Sequence, residues 1–227
     1  MLELTKPVAT AVVPISAGRH TYKREPSFPI AVACDPAFNF VYEANIRYLH
    51  HLGEVTYFSP LADTSLPDAG FVYLPGGYPE LYLAALSANR QMLQSIRRYV
   101  ESGGKLLAEC GGMMYLCDEI RDKNGYVYPM AGVLHQSATM ENMKLRLGYR
   151  TLLYNETRLK GHEFHYSRLV EQQNPLPSCA VAYTAKGVET DTPLYHYKNV
   201  WAGYTHLYWA DPVGNEWFTK FVIDGNT

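Results

Sequence analysis

Several features that would assign a class at once are missing from this sequence. Its four cysteines, Cys34, Cys110, Cys117 and Cys179, stand far apart with no C-x-x-C pair, which argues against a disulfide frame and against a zinc site. No run of Lys or Arg occurs and the net charge is −2, so a nucleic-acid backbone is not the expected partner. No apolar stretch approaches the roughly 18–20 residues that span a bilayer. The first residues, MLELTKPVATAVVPISAG, carry one early Lys and are interrupted by Pro7 and Pro14, a poor signal peptide. A cytoplasmic location is the resulting expectation. Neither G-x-x-x-x-G-K-[ST] nor G-x-G-x-x-G is present, so this stretch of chain brings no phosphate cradle of its own. Internal repeats are absent as well.

What is present is a chain able to build a core, with 47% apolar residues among its 227. Residues 1–27 mix Pro, Ser, Thr and charge without a sustained period and read as a leader or interdomain linker; residues 28–227 read as one domain. FPIAVAC, from Phe28, is a short continuous apolar run stopped by Asp-Pro, as expected for a strand covered on both faces. YEANIRYLHHLG spaces Ala44, Ile46, Leu49 and Leu52 as a helix does and stops at Gly53. EVTYFSP and GFVYLPGG are further strands, PELYLAALSANRQMLQSIRRYVESGG holds one or two helices, and KLLAE is a fourth strand. This alternation is the grammar of an open α/β sheet. Beyond residue 120 the alternating stretches predict antiparallel strands, with VWAGYTHLYW another strand and VGNEWFTKFVID a closing helix.

One junction carries chemistry on its face. In KLLAECGGMMYL an apolar strand ends at Glu109, then comes Cys110, then two glycines open a new apolar segment. This is the sequence form of a nucleophile elbow: the tight strand-to-helix turn demands small neighbours, Gly111 and Gly112, and the helix start favours a thiolate. The Gly111 N–H can donate to an oxyanion. A buried structural cysteine fits the same letters. A thiol nucleophile needs a base that is near in space, not in sequence. Of eight histidines, His50 and His51 sit at a helix end, His135 in a β-rich stretch and His196 in a polar loop, leaving His162 and His165 in GHEFHYS and His206 in GYTHLYW. His206 lies at the end of an apolar strand, where sheet-end residues gather around sites. GHEFHYS, with Glu163 between its histidines, has the spacing H-E-x-H and lacks the i, i+4 geometry of H-E-x-x-H, so no metal site is expected. Gly76 and Gly77 in YLPGGYPEL follow a strand and can offer N–H groups to an anion or simply make a tight turn.

Taken together, IAVACDPAFNFVYEANIRYL, TYFSPLADTSLPDAGFVYLPGGYPEL, LLAECGGMMYL, GHEFHYS and YTHLYW resemble the C-terminal glutaminase domain of cobyrinic acid a,c-diamide synthases, a branch of the class I glutamine amidotransferases, over roughly residues 28–210. The resemblance implies a flavodoxin-like α/β fold, a mostly parallel sheet with helices on both faces. It implies Cys110 as nucleophile and His206 as general base, with Gly77 and Gly111 at the oxyanion positions and Gly76 beside them. Glu109, His162, Glu163 and His165 are possible secondary residues. Most class I enzymes carry a Glu two residues beyond the histidine; here that position is Tyr208, which leaves open what orients His206. The implied reaction is hydrolysis of glutamine to glutamate and ammonia for amidation of tetrapyrrole carboxylates in cobalamin biosynthesis. No cofactor is expected in this domain; Mg-ATP and the corrinoid are expected on a synthetase domain, in cis or in trans. Nickel-sirohydrochlorin a,c-diamide synthases use closely similar motifs, and a cysteine hydrolase of the same superfamily with another substrate is the more distant alternative.

Overall fold

The structure, a computed structural model, describes residues 28–224. The proposed leader at 1–27 lies outside the described residues. Along the chain run β1 (Pro29–Ala33), α1 (Glu43–Leu52), β2 (Glu54–Phe58), β3 (Phe71–Leu74), α2 (Leu83–Ala88), α3 (Arg90–Glu101), β4 (Lys105–Glu109) and α4 (Gly111–Leu116). Short strands follow: β5 (Glu119–Arg121), β6 (Val127–Pro129) and β7 (Ser137–Thr139), then the long pair β8 (Arg146–Tyr154) and β9 (Thr157–His165), and β10 (Arg168–Leu169). The chain closes with β11 (Val181–Thr184), β12 (Glu189–Thr190), β13 (Leu194–Tyr197), β14 (Val200–Gly203), β15 (His206–Tyr208) and α5 (Pro212–Thr219), which continues as a π-helical turn over Lys220–Asp224.

A six-stranded sheet in the order β13-β14-β4-β3-β1-β2 forms the centre; all its neighbours pair in parallel except the edge strand β13. Because side chains alternate along a strand, each run feeds two cores. Ala31, Val72, Leu74, Leu106 and Ala108 face one side with α2, α3 and α4. Ile30, Val32, Phe71, Tyr73, Leu107 and Trp201 face the other with α1 and α5. Burial on both sides explains why these strands read as continuous apolar runs. Helix α3 buries Met92, Leu93, Ile96 and Val100 at helical spacing, and its N-cap Asn89 accepts from the Met92 N–H at 3.3 Å.

Two features depart from the sequence reading. VWAGYTHLYW is two strands: β14 stays in the central sheet beside β4, whereas β15 joins a separate five-stranded sheet, β12-β11-β8-β9-β15. The chain changes sheets across Tyr204 and Thr205, a break hidden by the unbroken apolar pattern. His196, read as a loop residue, lies in the edge strand β13 and stacks on Trp201 at 4.4 Å.

Helix α5 is pinned by aromatic packing: the buried Phe218 ring stacks on Trp209 at 3.9 Å and meets Phe71 edge-on at 5.3 Å. Phe218→Ala is expected to destabilise the protein by about 3–5 kcal/mol in urea denaturation, and Val213→Ala, on the exposed side of the helix, by under about 0.5 kcal/mol.

Candidate active site

Cys110 is the N-cap of α4, with φ 48° and ψ −104°. A non-glycine residue in that region is strained, and here the strain sits at the cysteine that follows the central strand β4. Its N–H is held by the Gly203 carbonyl at 2.7 Å, tying the turn to β14. A Cβ on Gly111 would stand 2.7 Å from Pro79 Cδ and 3.2 Å from Gly77 N, so the glycine lets the Gly77 amide lie alongside the turn. Gly77 has φ +156°, and a Cβ there would fall 2.1 Å from the Ala37 carbonyl oxygen. The Gly76–Gly77 loop is thus an intimate neighbour of the elbow, which the sequence left undecided between an anion loop and a bare turn.

The same loop meets His206. A Cβ on Gly76 would lie 2.1 Å from His206 Cε1. The imidazole is buried between Phe40, at 4.5 Å between ring centroids, and His162, stacked at 5.0 Å and 22°. His162 stands directly opposite His206 in the β9–β15 ladder and is hydrogen-bonded through Nδ1 to the Tyr42 hydroxyl at 2.5 Å. Cys110 thus adjoins Gly77 of this loop, and His206 adjoins Gly76. His206 Nδ1 is buried with no hydrogen-bond partner among the described residues, and Tyr208 supplies no carboxylate but packs edge-on against Tyr42 at 5.4 Å.

GHEFHYS separates as strand alternation requires. His162 faces His206, while Glu163 pairs with Arg150 at 2.6 Å and His165 stacks on Tyr204 at 3.8 Å, its Nδ1 on the Ser167 carbonyl at 2.8 Å. Two histidines three apart on a strand point to opposite faces, and no group of three or more metal-ligating side chains occurs among the described residues. The Phe164 carbonyl lies 4.0 Å from the Cys110 sulfur, and residues 164–167 roof a cavity of about 20 Å³ that also touches Gly77, Tyr78, Glu80 and Met114. It holds about one water molecule. A second hollow of about 350 Å³, bounded by Arg146, Glu163 and Tyr204, shares His165 and Ser167 with it. Larger surface grooves of about 450 and 490 Å³, against α5 and α3, contain no cysteine or histidine.

The Cys110 thiol and the His206 imidazole both rest in their neutral forms. Burial, and next the Glu80 carboxylate, push the Cys110 thiol up to about 12, against the pull of the Gly111 N–H. The thiolate expected from the helix start is outweighed by desolvation, since α4 is one short helix of six residues. Burial, then the His162 and His165 rings, push His206 down to about 3. Glu109 is buried, and burial raises it to about 7; its oxygens accept from the Tyr73 hydroxyl at 2.6 Å and the Leu207 N–H at 3.0 Å, so neither is turned toward a substrate. One buried polar residue next to this strand escaped the sequence reading: Asn45, fully buried in α1, donates to the Leu207 carbonyl at 2.8 Å and accepts from the Trp209 N–H at 3.1 Å. The available signal was a carboxamide on the same helical face as Leu49, four residues on.

Comparison with known proteins fits this geometry. The fold is that of the class I glutamine amidotransferases: PurLQS from Thermotoga maritima superposes over 87% of this chain and 96% of its own with a TM-score of 0.55 at 16% identity, and a glutamine amidotransferase from T. maritima over 87% and 83% with a TM-score of 0.52 at 12% identity. Residues 29–213 match the CobB/CobQ-like glutamine amidotransferase domain, and the chain belongs to that family. Among curated relatives it is 40% identical over 185 residues to a hydrogenobyrinate a,c-diamide synthase of Pseudomonas aeruginosa, covering 79% of this chain and 41% of that protein. It is likewise 40% identical over 188 residues to a cobyrinate a,c-diamide synthase of Fusobacterium nucleatum, with the same coverage of 79% and 41%. The chain thus spans less than half the length of these relatives.

A neutral thiol held near 12 has a reactivity set by its small thiolate fraction, which grows about tenfold per pH unit below that value. Iodoacetamide alkylation of Cys110 in the substrate-free protein, followed by peptide mass spectrometry, is expected to rise continuously from pH 7 to pH 10. A plateau near neutral pH would show a resting thiolate instead.

Proposed function

We propose that this chain is the glutamine-hydrolysing domain of a cobyrinate-type a,c-diamide synthase, with Cys110 as nucleophile and His206 as general base. The observation that carries the reading is the strained φ of 48° at Cys110, on a turn whose neighbouring glycine loop also touches the His206 ring. Glutamine enters when the cover formed by residues 164–167 shifts, since the cavity at the sulfur is far smaller than a glutamine side chain. As the sulfur attacks the side-chain carbonyl carbon, its proton passes to His206 and the C=O pair moves onto oxygen. The N–H groups of Gly77 and Gly111 receive that oxyanion. Collapse breaks the C–N bond, His206 returns the proton to the departing ammonia, and a thioester remains. Water, deprotonated by His206, then attacks the thioester and releases glutamate and the thiol. Burial keeps the ring nitrogen unprotonated at rest and also weakens it as a base, so the proton transfer depends on charge stabilisation that arrives with the substrate. Ionisation of Cys110 and His206 is thereby deferred to the moment when substrate occupies the site.

Ammonia released here would pass to an ATP-activated carboxylate of a corrin precursor on a synthetase part, in the same polypeptide or a separate chain, where Mg-ATP binds. The names of the matched relatives favour cobyrinate or hydrogenobyrinate over nickel sirohydrochlorin. Cytoplasmic residence suits a reaction that consumes ATP and depends on a free thiol.

Cys110→Ala is expected to abolish both glutamine hydrolysis and covalent labelling by a diazo-ketone glutamine analogue, followed by mass spectrometry. His206→Ala is expected to lower hydrolysis by about 10²–10⁴-fold. Labelling that persists in Cys110→Ala would remove the cysteine from the mechanism, and a peptide turned over faster than glutamine would move the protein to another hydrolase class.

A further inference from the structure

Strand β15 holds His206 with very little structure of its own. It is three residues long, lies at the end of its sheet, and pairs only with β9 among the described strands. In an antiparallel ladder alternate residues turn their N–H and C=O away from the partner, so an edge strand presents unpaired peptide groups. Here those groups belong to Leu207, and they are buried, where an unmet donor or acceptor is costly. Two side chains from different elements take the place of a missing strand. The Leu207 N–H donates to Glu109 Oε1 at 3.0 Å, and the Leu207 carbonyl accepts from Asn45 Nδ2 at 2.8 Å. Asn45 Oδ1 also accepts from the Trp209 N–H at 3.1 Å, so the carboxamide spans two peptide groups as a neighbouring backbone would. Glu109 is itself steadied by the Tyr73 hydroxyl at 2.6 Å.

We propose that Glu109 and Asn45 are positioning residues that clamp the Leu207 peptide groups and so hold the adjacent His206 ring at the Gly76 loop. The proposal rests on His206 acting as general base. It answers the want of a carboxylate partner: Tyr208 stands where one would be expected, and His206 Nδ1 has no partner among the described residues. The ring is oriented through its own backbone, between Phe40 and His162, instead of through a hydrogen bond to Nδ1. The arrangement also couples base to nucleophile, because Glu109 is the residue before Cys110: a displacement of the elbow moves the strand that carries the imidazole.

The clamp has a pH signature. Burial raises Glu109 to about 7, and protonation there replaces a charge-assisted bond to Leu207 N–H with a weaker neutral one. The other titratable groups facing Glu109 are Tyr73, Tyr42 and Cys110, all raised, Tyr42 and Cys110 to about 12, and His206 is held near 3; none of them titrates between pH 5 and 9.

The test uses the chain as it stands. Glu109→Met keeps the length of the side chain and removes the acceptor; Glu109→Gln keeps a neutral acceptor; Asn45→Asp keeps the acceptor for Trp209 and removes the donor to Leu207. Glu109→Met and Asn45→Asp are expected to lower kcat for glutamine about 10- to 100-fold with KM little changed, and Glu109→Gln, a fixed neutral acceptor, to lose less and to match at neutral pH the level the wild type reaches below its acidic limb. Iodoacetamide alkylation of Cys110, which forms the S–C bond and expels iodide without an acid, should stay within about twofold in Asn45→Asp and should not fall in the Glu109 variants, which lose a carboxylate that holds the thiol up. The acidic limb of the kcat profile near pH 7 should be present in the wild type and gone in Glu109→Gln. The NMR signal of the His206 Cε1 proton, which reads the position of the ring without any turnover, should move in Glu109→Met and in Asn45→Asp. If Glu109→Met does not fold, Asn45→Asp carries the same test. Wild-type kcat in the folded variants, or an unmoved His206 signal, overturns the clamp. A fully active His206→Ala, by contrast, overturns the base assignment beneath it.

Discussion

At the end of β4 the chain turns into α4 with Cys110 at φ 48°, a conformation that costs a non-glycine residue roughly 1–3 kcal/mol. The surrounding packing over-determines that turn. Parallel neighbours β3 and β14 hold the strand on both sides, the Gly203 carbonyl takes the Cys110 N–H, and Gly77 lies against Gly111 with no space for a side chain between them. Relaxing the turn would break a hydrogen bond and separate two packed backbones. The sulfur therefore stays at the sheet's end, where the β3 loop, β14 and the roof of residues 164–167 converge.

Around this turn the protein places ionisable groups where water does not reach them. Cys110, His206 and Glu109 are all shifted toward their neutral forms by burial, the first and last upward and the imidazole downward. In the mechanism proposed above, Cys110 and His206 ionise only when an oxyanion-forming substrate supplies the charge separation that the Gly77 and Gly111 amides stabilise.

The second half of the chain contributes the cover. Strands β8 and β9 form a long antiparallel ribbon whose alternation sends His162 to His206 and sends Glu163 and His165 to a separate polar cluster with Arg150 and Tyr204. Solved structures at 12–16% identity share the fold, so the fold tolerates wide change in sequence.

Much of the architecture was legible in the residues alone. Buried parallel strands are continuous apolar runs, α1 ends at a glycine, and the Glu-Cys-Gly-Gly junction has few structural uses other than a cramped strand-to-helix turn. These are local properties, set by backbone sterics and side-chain periodicity, so the sequence determines them unaided. The split of VWAGYTHLYW between two sheets was not legible, because both halves are buried and a change of strand partner leaves the apolar pattern unbroken. Nor could spacing choose among His162, His165 and His206, or show that Asn45 and Glu109 meet on Leu207 from positions 64 residues apart. Which side chains converge depends on how strands distant in sequence are placed side by side, and which proton each group holds depends on how much water that packing excludes; both were decided only by the tertiary structure.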